Sequence, residues 1–578
     1  MRILIEEYQY DVSKVRDVLY GIDALENMEG RVSIHYVGYY YNMLLKDCVF
    51  ILPKVLLKDV DGQELVFGKY KPEDIANLDT FDSKERSFLY KFAVWIYRAI
   101  VVYKNDRRND TRIVCQSHIA QICNRGRRQS NTYLDILLSL IQFNQDNQSF
   151  FFFIIKNLHS GLNKINWQRT IATKTAIIQN EQAVYLNPVN KRRQINFDEE
   201  LLIIFFSILN YIGDTYGFPK DICCQFQLIT GKRFDTYLNG FGKTRLRQIK
   251  YKYFSDKALQ LWHLCYNFFD EAQRVMVATE QRDYLLVKNF YVVFEAIIDE
   301  LIGDNPLPDG MEKQQEDGKI VDHLFTSQSL IAGENEQTYY IGDSKYYKIG
   351  HELGSQSIYK QYTYARNVIQ WNIDIFSNGD KPSSGVRLRD DVTEGYNILP
   401  NFFISAKLNE MFSYDDDNIE KTDRKRNRHK RVQFDNRLFD RDTLLLSHYD
   451  VNFLYVLSLY ARDNQSQKTA WKMKVRQHFC KEIQKWLDED YDFYFIKAMT
   501  GVDDREYFKS HFQQLLGKFY APFEQYKDIY SLALEKGEKY QQENKLLLNQ
   551  LKDYFFVERF KLEKDQQDVL VRMRTRTH

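Results

Sequence analysis

The sequence predicts a multi-domain protein of mixed α+β or α/β class. An N-terminal β-rich and helical region leads into a core of mixed sheet flanked by helices, and a helical C-terminal region follows. Three observations carry this. The chain has 578 residues, too many for one compact core. Its apolar content is 44%, with 41 Tyr, 40 Phe and only 9 Pro, as an ordered globular chain requires. Two apolar, strand-like runs between residues 319 and 347 each deliver an acidic residue, and amphipathic stretches flank the pair.

Residues 1–75 read as β-rich. Arg31–Gly38 and Cys48–Lys54 are strand-like, and Asp61-Gly62 marks a hairpin turn between Val55–Val60 and Leu65–Phe67. Residues 76–283 read as mainly helical, a region suited to docking a partner or DNA. Charged loops at 104–112 and 124–128 interrupt it, and Ile165–Ile171 and Ala183–Val189 look extended. Asp198–Tyr211 is an apolar helix with acids in its first turn, where the helix dipole favours them. Residues 284–408 form the core segment. Within it Tyr284–Ile302 reads as helix, 303–310 and 377–385 as loops, and Asn397–Ile404 as a late strand. Residues 409–578 carry a charge block at 415–431 and then read as helical, ending in a solvated, coiled-coil-like stretch from Glu524 to Asp565.

The chemistry concentrates in Lys319-Ile-Val-Asp322-His-Leu-Phe and Thr338-Tyr-Tyr-Ile-Gly-Asp343-Ser-Lys345-Tyr-Tyr. Strand residues two apart share a face and sit roughly 6–7 Å apart, so Asp343 and Lys345 point together and Ser344 turns away. Paired as a hairpin, the runs bring Asp322 to Asp343. Two carboxylates with open positions suit a hard divalent ion such as Mg²⁺ or Mn²⁺. A lysine beside it can orient an attacking water and steady charge on phosphorus. Other acid-x-Lys triplets (Asp82–Lys84, Asp317–Lys319, Glu543–Lys545) lack such flanks. Glu295 lies within the preceding amphipathic stretch. Lys360, Gln361 and Tyr364 lie on the following one, Ser357–Arg366. The order of helix with Glu, strand with Asp, strand with Asp-x-Lys, and helix with a polar face resembles the PD-(D/E)xK nuclease core. The departure is Val321 where the name-giving proline would stand.

Net charge is +1, from 80 basic and 79 acidic residues, which argues against coating nucleic acid by bulk charge but leaves local patches open. Seven scattered cysteines without a Cys-x-x-Cys make neither a disulfide framework nor a zinc site. The N-terminus carries acids too early for a signal peptide, and no apolar run approaches a membrane span, so a cytoplasmic location is expected. Gly242-Lys243-Thr244 imitates the end of a P-loop, but Tyr237 stands where its first glycine belongs. His323 and His351 flank the acidic motif and read as structural.

Beyond this core, the chain resembles the LlaJI-type restriction endonucleases and the McrC nuclease subunits of McrBC-type systems. The resemblance rests on Asp322, Asp343-Ser-Lys345 and Lys360-Gln361. Phe50–Lys54, Ile165–Ile171, Asp198–Leu201, Leu438–Leu444 and Asn452–Tyr455 add support. It implies a metal-dependent endonuclease subunit that cuts foreign double-stranded DNA with a McrB-like AAA+ GTPase on another chain. Asp322, Asp343, Lys345 and Glu295 would be catalytic, with the three carboxylates on Mg²⁺ or Mn²⁺. Lys348, Lys360, Gln361, Tyr364, Arg424, Arg426 and Arg428 would meet DNA. Two alternatives stand beside it: a DNA-recognition or assembly subunit that does not cut, and a PD-(D/E)xK nuclease independent of any GTPase.

Overall fold

The computed structural model describes residues 2–576 apart from short stretches, the longer being 21–25, 77–82, 149–154, 159–163, 196–199, 217–221, 223–226, 278–283, 308–312, 315–319, 349–353, 380–385 and 422–428. The fold is mixed α and β, in several sheets and helical groups.

At the N-terminus, β1 (Arg2–Ile5) pairs parallel with β3 (Asp47–Leu52), and β2 (Tyr36–Asn42) pairs antiparallel with it. β4 (Leu57–Val60) and β5 (Gln63–Val66) form the expected hairpin. Its turn residues Asp61 and Gly62 both have positive φ, 53° and 78°, as a type I′ turn demands. The helical region follows as α1 (Ser83–Asn105), α2 (Tyr133–Asp146), α3 (Glu200–Tyr216) and α4 (Asp256–Val277).

Two local expectations change, and the Gly-Lys-Thr triplet finds its place. Asn124, Arg127 and Arg128, expected in a charged loop, belong to the paired strands Ala120–Asn124 and Arg127–Asn131, which stand where helix was expected. Trp167–Thr173 is helical rather than extended. At its end Thr173 bonds its hydroxyl back to Arg169 O at 2.6 Å. The Gly-Lys-Thr triplet opens the helix Gly242–Ile249, just after a kink at Asn239 and Gly240. A Cβ on Gly242 would lie 2.8 Å from the Phe269 ring, so this glycine serves close packing against α4.

β7 (Tyr284–Lys288) was read as helix. It is a strand inserted between β2 and β6 (Val114–Gln116), giving the order β1-β3-β2-β7-β6. A short apolar run such as Tyr-Leu-Leu-Val fits strand or helix equally, and its non-local partners decide. Asn289, at φ 57°, then turns the chain into α5 (Tyr291–Ile302).

The second sheet holds the acidic motif. β8 (His323–Ser329) and β9 (Gly333–Lys345) are antiparallel; β10 (Pro400–Lys407) and β11 (Leu444–Asn452) add in parallel. Ile419–Lys421 and His429–Val432 both pair with β11, so the sheet continues past residue 408. α6 (Ser355–Ser377) covers one face, where Tyr339, Ile341 and Phe403 pack with Tyr364 and Val368. α5, α7 (Phe453–Ala461) and α8 (Gln465–Asp490) cover the other, where Tyr340, Phe402 and Tyr449 meet Phe294, Phe453 and Phe479.

The C-terminal region has the expected helices, α7 and α8 among them, but the stretch from Glu524 to Asp565 is not coiled-coil-like. β12 (Tyr491–Ala498), β13 (Ile529–Glu535) and β14 (Phe555–Phe560) join Phe519–Tyr520 in a four-stranded antiparallel sheet, and α9 (Glu538–Lys552) lies between two of them in sequence. Every residue of β13 is buried. A strand covered on both faces loses the alternation by which strands are recognised. Among the described residues no helix is long and apolar enough to cross a membrane.

Candidate active site

Asp343 lies near the end of β9, opposite Phe403 of β10. The alternation that buries Tyr339 and Ile341 under α6 carries Asp343 and Lys345 to the same face. Gly342 precedes them because the Phe402 ring crosses the strand there; a Cβ would lie 2.2 Å from it.

Asp343 is only 1% exposed. The Lys345 ammonium is ion-paired with its Oδ2 and stands 5.4 Å from the centre of the Phe403 ring. Lys360, on the first turns of α6, places its Nζ 3.8 Å from Asp343 Oδ1. Burial lowers the Lys360 pKa, but Tyr364 and the carboxylates of Asp343 and Asp322 outweigh it and leave it raised. Asp322 stands just before β8. Its Oδ2 accepts the Ser344 backbone N–H at 3.2 Å, which ties the first acid to the strand that carries the second. The two acids thus come together as their sequence context predicts.

Glu295, in the middle of α5, belongs to the same electrostatic group. Burial, and then the charge of Asp343, push its carboxyl up to about 7. Burial, and then Asp343 and Glu295, push Asp322 up to about 8. Both line a cleft of about 420 Å³ that also receives Asp299 and Lys313. Among the described residues no three His, Cys, Asp or Glu side chains converge closely enough to hold a metal ion. The donor chemistry still suits a hard divalent cation. It offers oxygens only, from two carboxyls whose ionisation burial and their neighbours oppose and from Asp343 between them.

The residues expected to meet DNA divide. Lys360 reaches the site and is half-exposed. Gln361 does not face solvent: it is fully buried, and its Nε2 donates to Ile341 O and Asn401 Oδ1, both at 3.1 Å. Tyr364 is likewise buried, within the core under α6. Lys348 is ion-paired with Glu64 at 2.5 Å and donates to Glu7 O at 3.4 Å, so it joins the core to the N-terminal region. Arg424, Arg426 and Arg428 lie outside the described residues. Sequence reasoning missed Lys313, whose Nζ bridges Asp299 Oδ1 at 2.6 Å and Asp322 O at 2.7 Å. It also missed Asp299, four residues after Glu295; that one-turn spacing was the available signal.

Neither a protein-family model nor a curated protein matches this chain. Among solved structures, the chain is similar to one chain of the Thermococcus gammatolerans McrBC complex. Identity is 12%, covering 52% of this chain and 88% of that one, with a TM-score of 0.19. So slight a likeness carries no argument about fold or function.

Proposed function

We propose that this chain is a metal-dependent DNA endonuclease subunit of a restriction system, acting in the cytoplasm. The observation that carries the reading is the meeting of Asp322, Asp343 and Lys345 at one end of a mixed sheet, with Glu295 supplied by the helix behind it. Asp322, Asp343 and Glu295 would hold Mg²⁺ or Mn²⁺. When bound, the ion supplies a polarised phosphate and a more acidic water. Lys345 and Lys360 bracket Asp343 with positive charge, where a phosphodiester would add negative charge. Raised carboxyl pKa values are what crowded, buried acids show before a cation offsets their repulsion. Double-stranded DNA as substrate and a McrB-like GTPase as partner are the finer parts of this reading, and the sequence resemblance supports them.

Plasmid cleavage by the purified chain with Mg²⁺, with and without a candidate GTPase and GTP, tests both levels. Cleavage that needs the GTPase and disappears in Asp343→Ala and Asp322→Ala agrees with the proposal. Wild-type activity in either variant removes the site assignment, and an unchanged rate by the lone chain removes the partner.

One observation favours a second reading, a DNA-recognition or assembly subunit that does not cut. Lys345 neutralises Asp343 directly, where a cation would otherwise sit. DNA binding without cleavage under every metal and partner condition would select it.

A further inference from the structure

His323 has no role in the chemistry proposed above, yet it is fully buried beside it. Its Nε2 lies 2.6 Å from Ser344 Oγ and its Nδ1 3.4 Å from Asp299 Oδ1. One ring nitrogen thus meets the Ser344 hydroxyl and the other faces the Asp299 carboxylate, so the imidazole links the two side chains.

Each member of this line neighbours a group of the proposed site. Asp299 follows Glu295 by one turn of α5. His323 follows Asp322 directly. Ser344 stands between Asp343 and Lys345, and its own N–H holds Asp322 Oδ2 at 3.2 Å. The imidazole thus bridges the three elements that deliver the carboxylates: α5, the start of β8 and the end of β9.

We infer that Asp299, His323 and Ser344 are positioning residues that hold these three elements in register and so set the spacing of Glu295, Asp322 and Asp343 toward a divalent cation. The inference rests on the nuclease reading. A Ser–His–Asp line also serves nucleophilic hydrolases. Here Ser344 is 6% exposed and His323 0%, and the strand alternation turns Ser344 away from the Asp343 face, so no electrophile reaches its hydroxyl.

The test is Mn²⁺ affinity of the full chain, read by electron paramagnetic resonance titration beside thermal melting. Asp343→Ala should lose the Mn²⁺ site. His323→Phe and Ser344→Ala should melt cooperatively and bind Mn²⁺ about 10–100-fold more weakly. The double variant should bind no more weakly than the worse single one, because both break one link. His323→Gln, which keeps a donor and an acceptor, should recover part of the affinity. If His323→Phe fails to fold, Ser344→Ala removes only the hydroxyl from the same link and decides the matter alone. Wild-type affinity in Ser344→Ala and His323→Phe, with Asp343→Ala inactive in binding, overturns the positioning role and leaves the metal site standing. Absence of Mn²⁺ binding in the wild type overturns the nuclease reading and this inference with it. Covalent labelling of Ser344 by a fluorophosphonate overturns the positioning role in favour of a nucleophile.

Discussion

Tyr346 donates its phenolic hydroxyl to the Glu6 carboxylate at 2.7 Å, joining residues 340 positions apart. The same Tyr346 ring packs against Phe290, just before α5, and Phe294 within it, so one side chain ties the N-terminal sheet to the helix carrying Glu295. Tyr346→Phe leaves Glu6 with the Lys54 N–H at 3.3 Å. The expected loss is about 1–3 kcal/mol, the cost of a buried acceptor short of a partner. The urea midpoint checks it; an unchanged midpoint would show the bond to be dispensable.

Glu6 also predicts a pH effect. Burial raises its pKa above 4.5, so the folded chain holds this proton more tightly than the unfolded chain. Its stabilising contribution is therefore complete below the ordinary value and declines as pH rises through the raised one. Glu6→Gln keeps an acceptor and cannot ionise. Relative to wild type it should gain stability as pH rises above the ordinary carboxylate value. A difference that stays constant with pH would contradict the assignment.

The acidic site makes a second pH prediction, with Asp322 pushed to about 8 and Glu295 to about 7. Both are raised, so without metal the folded chain loses stability as pH rises from the ordinary carboxylate range to about 8. Mg²⁺ competes with those protons. Its effect on Tm should therefore grow from about pH 6 to about pH 8.5 and vanish in Asp343→Ala. Equal Mg²⁺ effects at both pH values would speak against a shared carboxylate site.

Lys345→Ala should lower the cleavage rate by about 10²–10³, the usual worth of one donor aimed at developing charge. Lys360→Ala should act more through DNA affinity, because its side chain is 45% exposed at the mouth of the site. Rates at saturating DNA separate the two. Equal loss of rate in both variants would merge their roles.

Gly342→Ala places a methyl against the Phe402 ring at 2.2 Å, directly before Asp343. Overpacking of this kind costs about 1–3 kcal/mol. Phe402→Leu in the same chain should recover part of the lost Tm. No recovery would locate the strain elsewhere.

The acidic core was legible because its signal is local. Asp343 and Lys345 share a strand face by parity alone, and Asp322 arrives through the hairpin partner of that strand. Helix spacing put Lys360, Gln361 and Tyr364 on one face, but the seating of α6 decides that Lys360 reaches Asp343 while the other two are buried. β7 was misread because its partners, β2 and β6, lie far away in sequence. β13 was misread because its side chains are buried on both faces. Asp299 and His323 gave no local sign of their pairing, since the contact between them exists only once α5 lies against β8.

The place of β7 has a consequence for biosynthesis. The N-terminal sheet receives its fourth strand only when residues 284–288 have left the ribosome, long after β1, β2 and β3. Until then β2 waits as an open edge of tyrosines, the kind of edge that recruits other chains. A fragment ending before Tyr284 keeps that edge permanently, so the first 283 residues are poor material for a separable domain. The nascent chain depends on whatever shields that edge while the next two hundred or so residues are made.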